Sequence, residues 1–272
     1  MKWKSILFFL VVLFSSSKST GQSEIDRYKE LALQHAYKEE FPQAIAYYTK
    51  IIDTNPKDST AYYERGLLKY NVKDYIGAVD DYTEQIKKDP SQADYYFTRA
   101  MAYDKLNNNK AAIVDYTKTI QLEPSNSDAY YFRGLKKMAL KKDKEALKDF
   151  DLAIAKRADN VQAITDRALL KAKKHQYKSA IADCNQAILI DPLFHKAYRA
   201  RGYIKTLTQD FQNAVANYDQ AIALDSKNPG YYQERGLLKI QLNQKESGCS
   251  DLKKAIESGG KNSVAISLTY CK

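Results

Sequence analysis

Histidine, cysteine, glycine and proline are all scarce in this chain, and each shortage removes a class of chemistry. The 3 histidines among 272 residues, His35, His175 and His195, stand far apart and have no metal-ligand spacing. With 10 Gly there is no phosphate-cradling glycine loop and no nucleophile elbow. The few Gly and 6 Pro are mostly periodic, so no long linker is expected. The longest apolar run, Ile6 to Phe14, is about half the ~20 residues that a membrane span needs. No catalytic residue, cofactor or metal is expected.

That apolar run has a context of its own. Met1 to Gln22 opens on Lys2 and Lys4, continues through Ile6–Phe14, and ends in the small polar stretch SSSKSTG. This is the layout of a secretory signal peptide cleaved near Gly21, which assigns residues 1–21 to a leader. An uncleaved anchor is the alternative. No cysteine lies near the junction, which argues against a lipid anchor. Export sets the frame for the rest: no transmembrane span after cleavage, no nucleic acid as a target, and cysteines in an oxidising setting. The formal charge of +10 includes Lys2, Lys4 and Lys18, so the mature chain is basic but less so.

What is abundant is tyrosine, 22 of them, and most recur at fixed places. The stretch Ala61–Pro90, AYYERGLLKYNVKDYIGAVDDYTEQIKKDP, holds two helical patterns separated by a break at 71–74 and stopped by Pro90. Variants of it recur at a period of 34, beginning near Ile25, Ser59, Ala93, Ser127, Val161, His195 and Pro229. An aromatic column runs through Tyr28, Tyr62, Tyr96, Tyr130, Ile164, Tyr198 and Tyr232. Small residues recur in the first helix (Ala32, Gly66, Ala100, Gly134, Ala168, Gly202, Gly236). They recur also in the second (Ala44, Ala78, Ala112, Ala146, Ala180, Ala214, Gly248). Large residues follow four positions later, among them Tyr48, Tyr82, Tyr116 and Phe150, with Cys184 in the fifth unit.

These columns resemble the tetratricopeptide repeat, with its small-residue pair and closing proline, from Ile25 to about Gly259. The predicted fold is therefore all-α: an α-solenoid of about seven helical hairpins over 22–260, with a capping helix over 261–272. The resemblance implies a right-handed superhelix whose first helices line a concave groove, used to bind proteins. Members that hold acidic C-terminal peptides carry a Lys/Asn/Arg clamp there, and Lys29 with Leu33 does not reproduce it.

One column departs from an apolar core. Leu31, Arg65, Arg99, Arg133, Arg167, Arg201 and Arg235 face a second-helix column of Tyr47, Asp81, Asp115, Asp149, Asp183, Asn217 and Asp251. Arg and Asp appear together, so pairing inside each repeat is the structural reading. An arginine ladder for an anionic ligand is the functional one.

The side of the first helix away from its own partner carries Tyr63, Leu67, Tyr70, Phe97, Met101, Tyr131, Leu135 and Met138 in units two to four. These form either an aromatic binding strip or packing between neighbouring first helices. Residues 24–126 are slightly acidic and the remainder strongly basic. Lys136, Lys137, Lys141, Lys142, Lys171, Lys173 and Lys174 cluster late in first helices and the turns after them, a basic rim. Val264, Ile266 and Leu268 are expected to cover the last hairpin. Cys249, near the start of a helix, and Cys271, at the end of the antiparallel cap, are expected to form a disulfide. Cys184 should be buried and reduced. The combined reading is a non-catalytic scaffold of a bacterial cell envelope, in the periplasm or at the outer surface of a Gram-negative cell. It would hold a protein or extended peptide in its groove. The alternative is docking of the basic half to an anionic polymer, envelope surface or acidic protein.

Overall fold

A computed structural model describes residues 20–271. The leader expected over 1–21 lies outside the described residues except for its last two positions. Among the described residues there are fifteen helices and no strand. The chain divides into two compact units, one ending at Asn107 and the other beginning at Asn108. The first holds α1 (Thr20–Tyr37), α2 (Phe41–Thr54), α3 (Ser59–Asn71), α4 (Tyr75–Lys88) and α5 (Ala93–Lys105). The second begins with α6 (Asn109–Leu122), α7 (Ser127–Ala139), α8 (Asp143–Lys156), α9 (Val161–Lys173) and α10 (Tyr177–Ile190). It continues with α11 (His195–Leu207), α12 (Phe211–Leu224), α13 (Pro229–Gln241), α14 (Lys245–Glu257) and α15 (Lys261–Tyr270). Within each unit every helix packs on the helices before and after it in sequence, the arrangement of an α-solenoid.

The helix ends are encoded locally. Asp58, Asn126 and Asn160 precede first helices and accept, through their side chains, from the backbone N–H of Ala61, Ala129 and Ala163. Asn228 caps α13 directly before Pro229, whose fixed φ suits the first helical position. At the other end, each first helix stops through one left-handed residue: Glu39, Lys73, Asn107, Lys141, His175, Gln209 and Asn243, all at φ 56–67. After α7, Lys141 N–H reaches Met138 O and Lys142 N–H reaches Lys137 O, each at 2.9 Å, which satisfies the last carbonyls. Glycine normally fills this position, yet none of these seven is glycine; the left-handed Gly259, φ 89, follows α14, a second helix. The reversal is held by these bonds and by packing on the next helix.

The small columns set how closely two helices of a hairpin approach. A Cβ on Gly66 would lie 2.7 Å from Tyr82 Cε1, and one on Gly134 2.8 Å from Phe150 Cε1. The ring of the second helix thus occupies the space that a side chain on the first would need. Tyr82, Phe150 and Tyr218 are accordingly buried, each beside the first helix of its own hairpin. Where the fifth unit has Cys184 instead, Ala168, Ala172, Ala180, Ala200 and Ile204 close around the thiol. Cys184 is buried and free. Burial pushes its thiol up to about 12.

The terminal helix differs from its expectation. Val264 and Leu268 point outward, 45% and 61% exposed, and the side of α15 turned inward centres on the buried Ser263. Its hydroxyl donates to Gln233 Oε1 at 2.8 Å. Val264 and Leu268, four residues apart, share one face and that face turns outward, while Ile266, two positions off it, is half-buried. The pinning element is covalent. A Cys249–Cys271 disulfide ties the start of α14 to the end of α15, with Cα atoms 5.6 Å apart.

Candidate functional site

The polar column of the repeat resolves into a set of linked ion pairs. Arg133 Nε and Nη2 donate to the two carboxylate oxygens of Asp149 at 2.9 and 2.7 Å. Arg65–Asp81, Arg167–Asp183 and Arg235–Asp251 repeat this two-pronged geometry. In the sixth repeat Arg201 Nε donates to Asn217 Oδ1. The remaining arm of each guanidinium reaches back 16 residues to the preceding second helix. Arg65, Arg99 and Arg133 donate to the hydroxyls of Thr49, Thr83 and Thr117. Arg167, Arg201 and Arg235 donate to Asp151, Asn185 and Asp219. One arginine therefore fastens its own hairpin and the hairpin before it. No anionic ligand is needed to explain the column.

The same geometry corrects the basic rim. Lys137 and Lys171 lie four residues beyond Arg133 and Arg167, on the same helical face, and their ammonium groups reach Asp149 and Asp183 at 2.8 Å. Their side chains are 15% and 21% exposed, so both belong to the packed interior and not to a solvated edge. Lys69 and Lys239 do the same with Asp81 and Asp251. Where the acceptor is the neutral Asn217, Lys205 turns to Asp210 instead. Lys173 pairs with Asp143 at 2.6 Å. Lys141 and Lys142 are exposed, and Lys136 and Lys174 are half-buried.

The eight residues of the expected aromatic strip are all half-buried. In the first unit Tyr63, Leu67 and Tyr70 pack against Ala78, Tyr82 and Ala102. Tyr63 also meets Tyr95 of the following first helix, ring centroids 5.4 Å apart, and burial pushes its phenol up to about 12. Phe97 and Met101 lie on α5 of that unit. In the second unit Tyr131, Leu135 and Met138 pack against Ala146, Phe150 and Leu170. Of the eight, Tyr131 alone reaches the cleft described next.

That cleft, of about 350 Å³, opens along the first helices of the second unit. Helix α7 contributes Tyr131; α9 contributes Gln162, Thr165, Asp166 and Leu169; α11 and α13 add Lys196, Arg199, Tyr231 and Glu234. The Tyr131 hydroxyl donates to Asp166 Oδ2 at 2.9 Å across 35 residues. Burial pushes the Asp166 carboxyl above the usual carboxylate range, and the Tyr131 hydrogen bond and the charge of Lys196 oppose that rise. On the far wall Arg199 holds both oxygens of Glu234. His195 Nδ1 and the Tyr231 hydroxyl share a hydrogen bond of 2.6 Å at the rim. Most of the lining residues are polar, with Leu169 and Phe194 as the large apolar ones. Nothing here has the layout of a nucleophile and its base, and among the described residues no cluster of His, Cys, Asp and Glu could hold a metal ion. No helix among them is long and apolar enough to cross a membrane.

Of the residues that line the cleft, the sequence singled out only Tyr131. The residues vary in type from repeat to repeat, so no column marks them. A signal was present in the pairs Tyr131/Asp166 and Arg199/Glu234, each a complementary couple 35 residues apart, one repeat plus one position.

Comparison with known proteins agrees with this architecture. A tetratricopeptide repeat family model matches residues 93–126 and 195–228, and a second tetratricopeptide repeat model matches 29–93. No curated protein matches the sequence. A tetratricopeptide repeat protein from Parabacteroides merdae is similar over 91% of this chain and 98% of its own, at 20% identity and a TM-score of 0.75. PilF of Pseudomonas aeruginosa is similar over 82% and 100%, at 15% identity and a TM-score of 0.65. YrrB, described as a TPR protein with an unusual peptide-binding site, is similar over 66% and 92%, at 21% identity and a TM-score of 0.54. The repeat columns, the hairpins that they build and the matching family models agree: this chain is a tetratricopeptide repeat protein.

Proposed function

We propose that the protein is an exported, non-catalytic scaffold that holds an extended segment of a partner protein in the cleft of its second unit. The observation that carries this is the cleft itself, lined mostly by polar residues of four consecutive first helices, α7, α9, α11 and α13. A cleft of this kind recognises backbone and side chains in register with the repeats, one repeat after another. YrrB, of the same fold, is described as having a peptide-binding site. Export to the periplasm or outer envelope draws on the leader layout of residues 1–22 and on the disulfide, which persists in oxidising compartments. The aromatic residues of units two to four act in this reading by shaping and stiffening the frame, with Tyr131 at the cleft edge.

A second reading draws on Lys141, Lys142, Lys144 and Lys148, all exposed on or beside α8. They suit an anionic polymer or surface, although Lys137, Lys171 and Lys173 are already neutralised by aspartates. A photoreactive residue placed at Gln162, at the cleft, or at Lys148, on a second helix, distinguishes the two in intact cells. The cleft reading expects a discrete protein adduct at 162 and none at 148. Adducts at 148 alone would favour surface docking and reject the cleft.

A further inference from the structure

We infer that the cleft selects its partner segment through one lysine or arginine side chain, whose cationic head docks between Asp166 and Thr165. This rests on the reading of the cleft as a partner site and adds the chemistry of what it accepts. The first observation is Thr165. It is only 3% exposed, it lines the cleft, and its hydroxyl has no hydrogen-bond partner. The helical threonines Thr49, Thr83, Thr117 and Thr206 each donate to the carbonyl four residues back. Thr165 forgoes that bond, and a buried hydroxyl left without a partner is destabilising unless a ligand supplies one.

The second observation is the neighbouring carboxylate. The four charged groups of the cleft are not equally satisfied. Glu234 takes both prongs of Arg199, so those two charges cancel on the far wall. Asp166 has a single hydrogen bond, from the neutral Tyr131 hydroxyl, and Lys196 acts on it only through space. Lys196 is exposed to water, so the half-buried Asp166, with one neutral donor, is the least compensated of the cleft's shielded charges, and desolvation acts on it in the direction that disfavours its ionised form. A cation answers both groups. An ammonium or guanidinium has donors to spare for the open carboxylate oxygen and for the Thr165 lone pair. Leu169 and Phe194 line the same cleft and suit the methylene stem that carries such a head group. An acidic side chain would meet Asp166 unscreened and would have Lys196 as its one uncommitted cation.

A phage-displayed library of random twelve-residue peptides, selected on the full mature chain, tests the inference. Enriched peptides should share a Lys or Arg at one position. Synthetic copies should bind Asp166→Asn at least tenfold more weakly, and Thr165→Val three- to tenfold more weakly. Acetylating that lysine should cause a loss as large as Asp166→Asn. Thr165→Val keeps the shape of the side chain and serves if Asp166→Asn misfolds. Enrichment of acidic residues or of a free C-terminus, with sensitivity to Lys196→Gln and none to Asp166→Asn, would overturn the inference while leaving the cleft as a partner site. Peptides that bind Gln162→Trp, which obstructs the cleft mouth, as well as they bind the natural chain would overturn both. So would a failure to enrich any sequence over the Gln162→Trp control.

Discussion

Removing Asp149 should damage the fold more than removing Arg133, although the two form one pair. Asp149 is 3% exposed and receives two hydrogen bonds from Arg133 and one ion pair from Lys137. Replacing it with alanine strands two cations, 13% and 15% exposed, against a packed helix interface. Breaking a buried pair from one side costs about 3–5 kcal/mol, and the partial exposure of the cations places this case near the lower end. Arg133→Ala leaves Asp149 held by Lys137 at 2.8 Å. Its cost is then the lost charge-assisted bonds and the link to Thr117, about 1.5–3 kcal/mol. The double variant should cost less than the sum of the singles because both remove the same interaction. Urea titrations followed by far-ultraviolet circular dichroism, fitted with the slope as a check on cooperativity, measure all three. Equal costs for the two single variants would show that Lys137 does not hold Asp149. Additive costs in the cycle would show that Arg133 and Asp149 are not coupled.

Three further outcomes follow from the geometry. Lys141→Gly should raise stability by about 0.5–1 kcal/mol in the same titration, because Lys141 sits at φ 61 on an exposed turn where a side chain is strained; a loss would mean that the lysine makes an interaction the turn needs. Cys271→Ser should release α15 and cost up to about 3 kcal/mol in the loop-closure account, read as faster amide exchange over 261–270 with α6–α12 unchanged; unaltered exchange in α15 would show that packing alone holds it. Cys184, its thiol pushed up to about 12 by burial, should stay unreactive toward a disulfide reagent at pH 8 until the chain unfolds. A thiol raised in the folded state contributes stability at pH below its ordinary range and loses it as pH rises toward the folded value. The stability gap between the natural chain and Cys184→Ala should therefore shrink above about pH 9, and a constant gap would contradict the shift.

The legible and illegible parts of the molecule divide along physical lines. Gly66 opposite Tyr82 and Gly134 opposite Phe150 could be paired from the sequence because each repeat must solve the same close approach, at the same offset. Arg133 with Asp149 was legible for that reason too, since a buried guanidinium and carboxylate 16 residues apart recur together. The third member of the set was not. Thr49, Thr83, Thr117, Asp151, Asn185 and Asp219 differ in chemistry, and only their shared capacity to accept a hydrogen bond unites them. Lys137 and Lys171 read as rim because counting charge says nothing about reach, whereas four residues along a helix return a side chain to the same face. Val264 and Leu268 share a helical face, but the period of a face does not say whether it turns inward. The division at Asn107 and Asn108 has no mark in the sequence, since Asn107 takes the same left-handed turn as its counterparts. The cleft escaped notice because function there uses positions that differ between repeats, Thr165 and Asp166 on α9 but Arg199 on α11.

The central claim is that the cleft of the second unit holds the partner, and the most direct measurement is the affinity of the partner cross-linked at residue 162 for two variants. Gln162→Trp fills the cleft from an exposed position, and Lys148→Glu alters an exposed site on α8. By isothermal calorimetry, Gln162→Trp should weaken binding at least tenfold, about 1.4 kcal/mol, with an unchanged melting temperature, while Lys148→Glu should bind as the natural chain does. Unchanged affinity in Gln162→Trp, together with a large and salt-dependent loss in Lys148→Glu, would contradict the account.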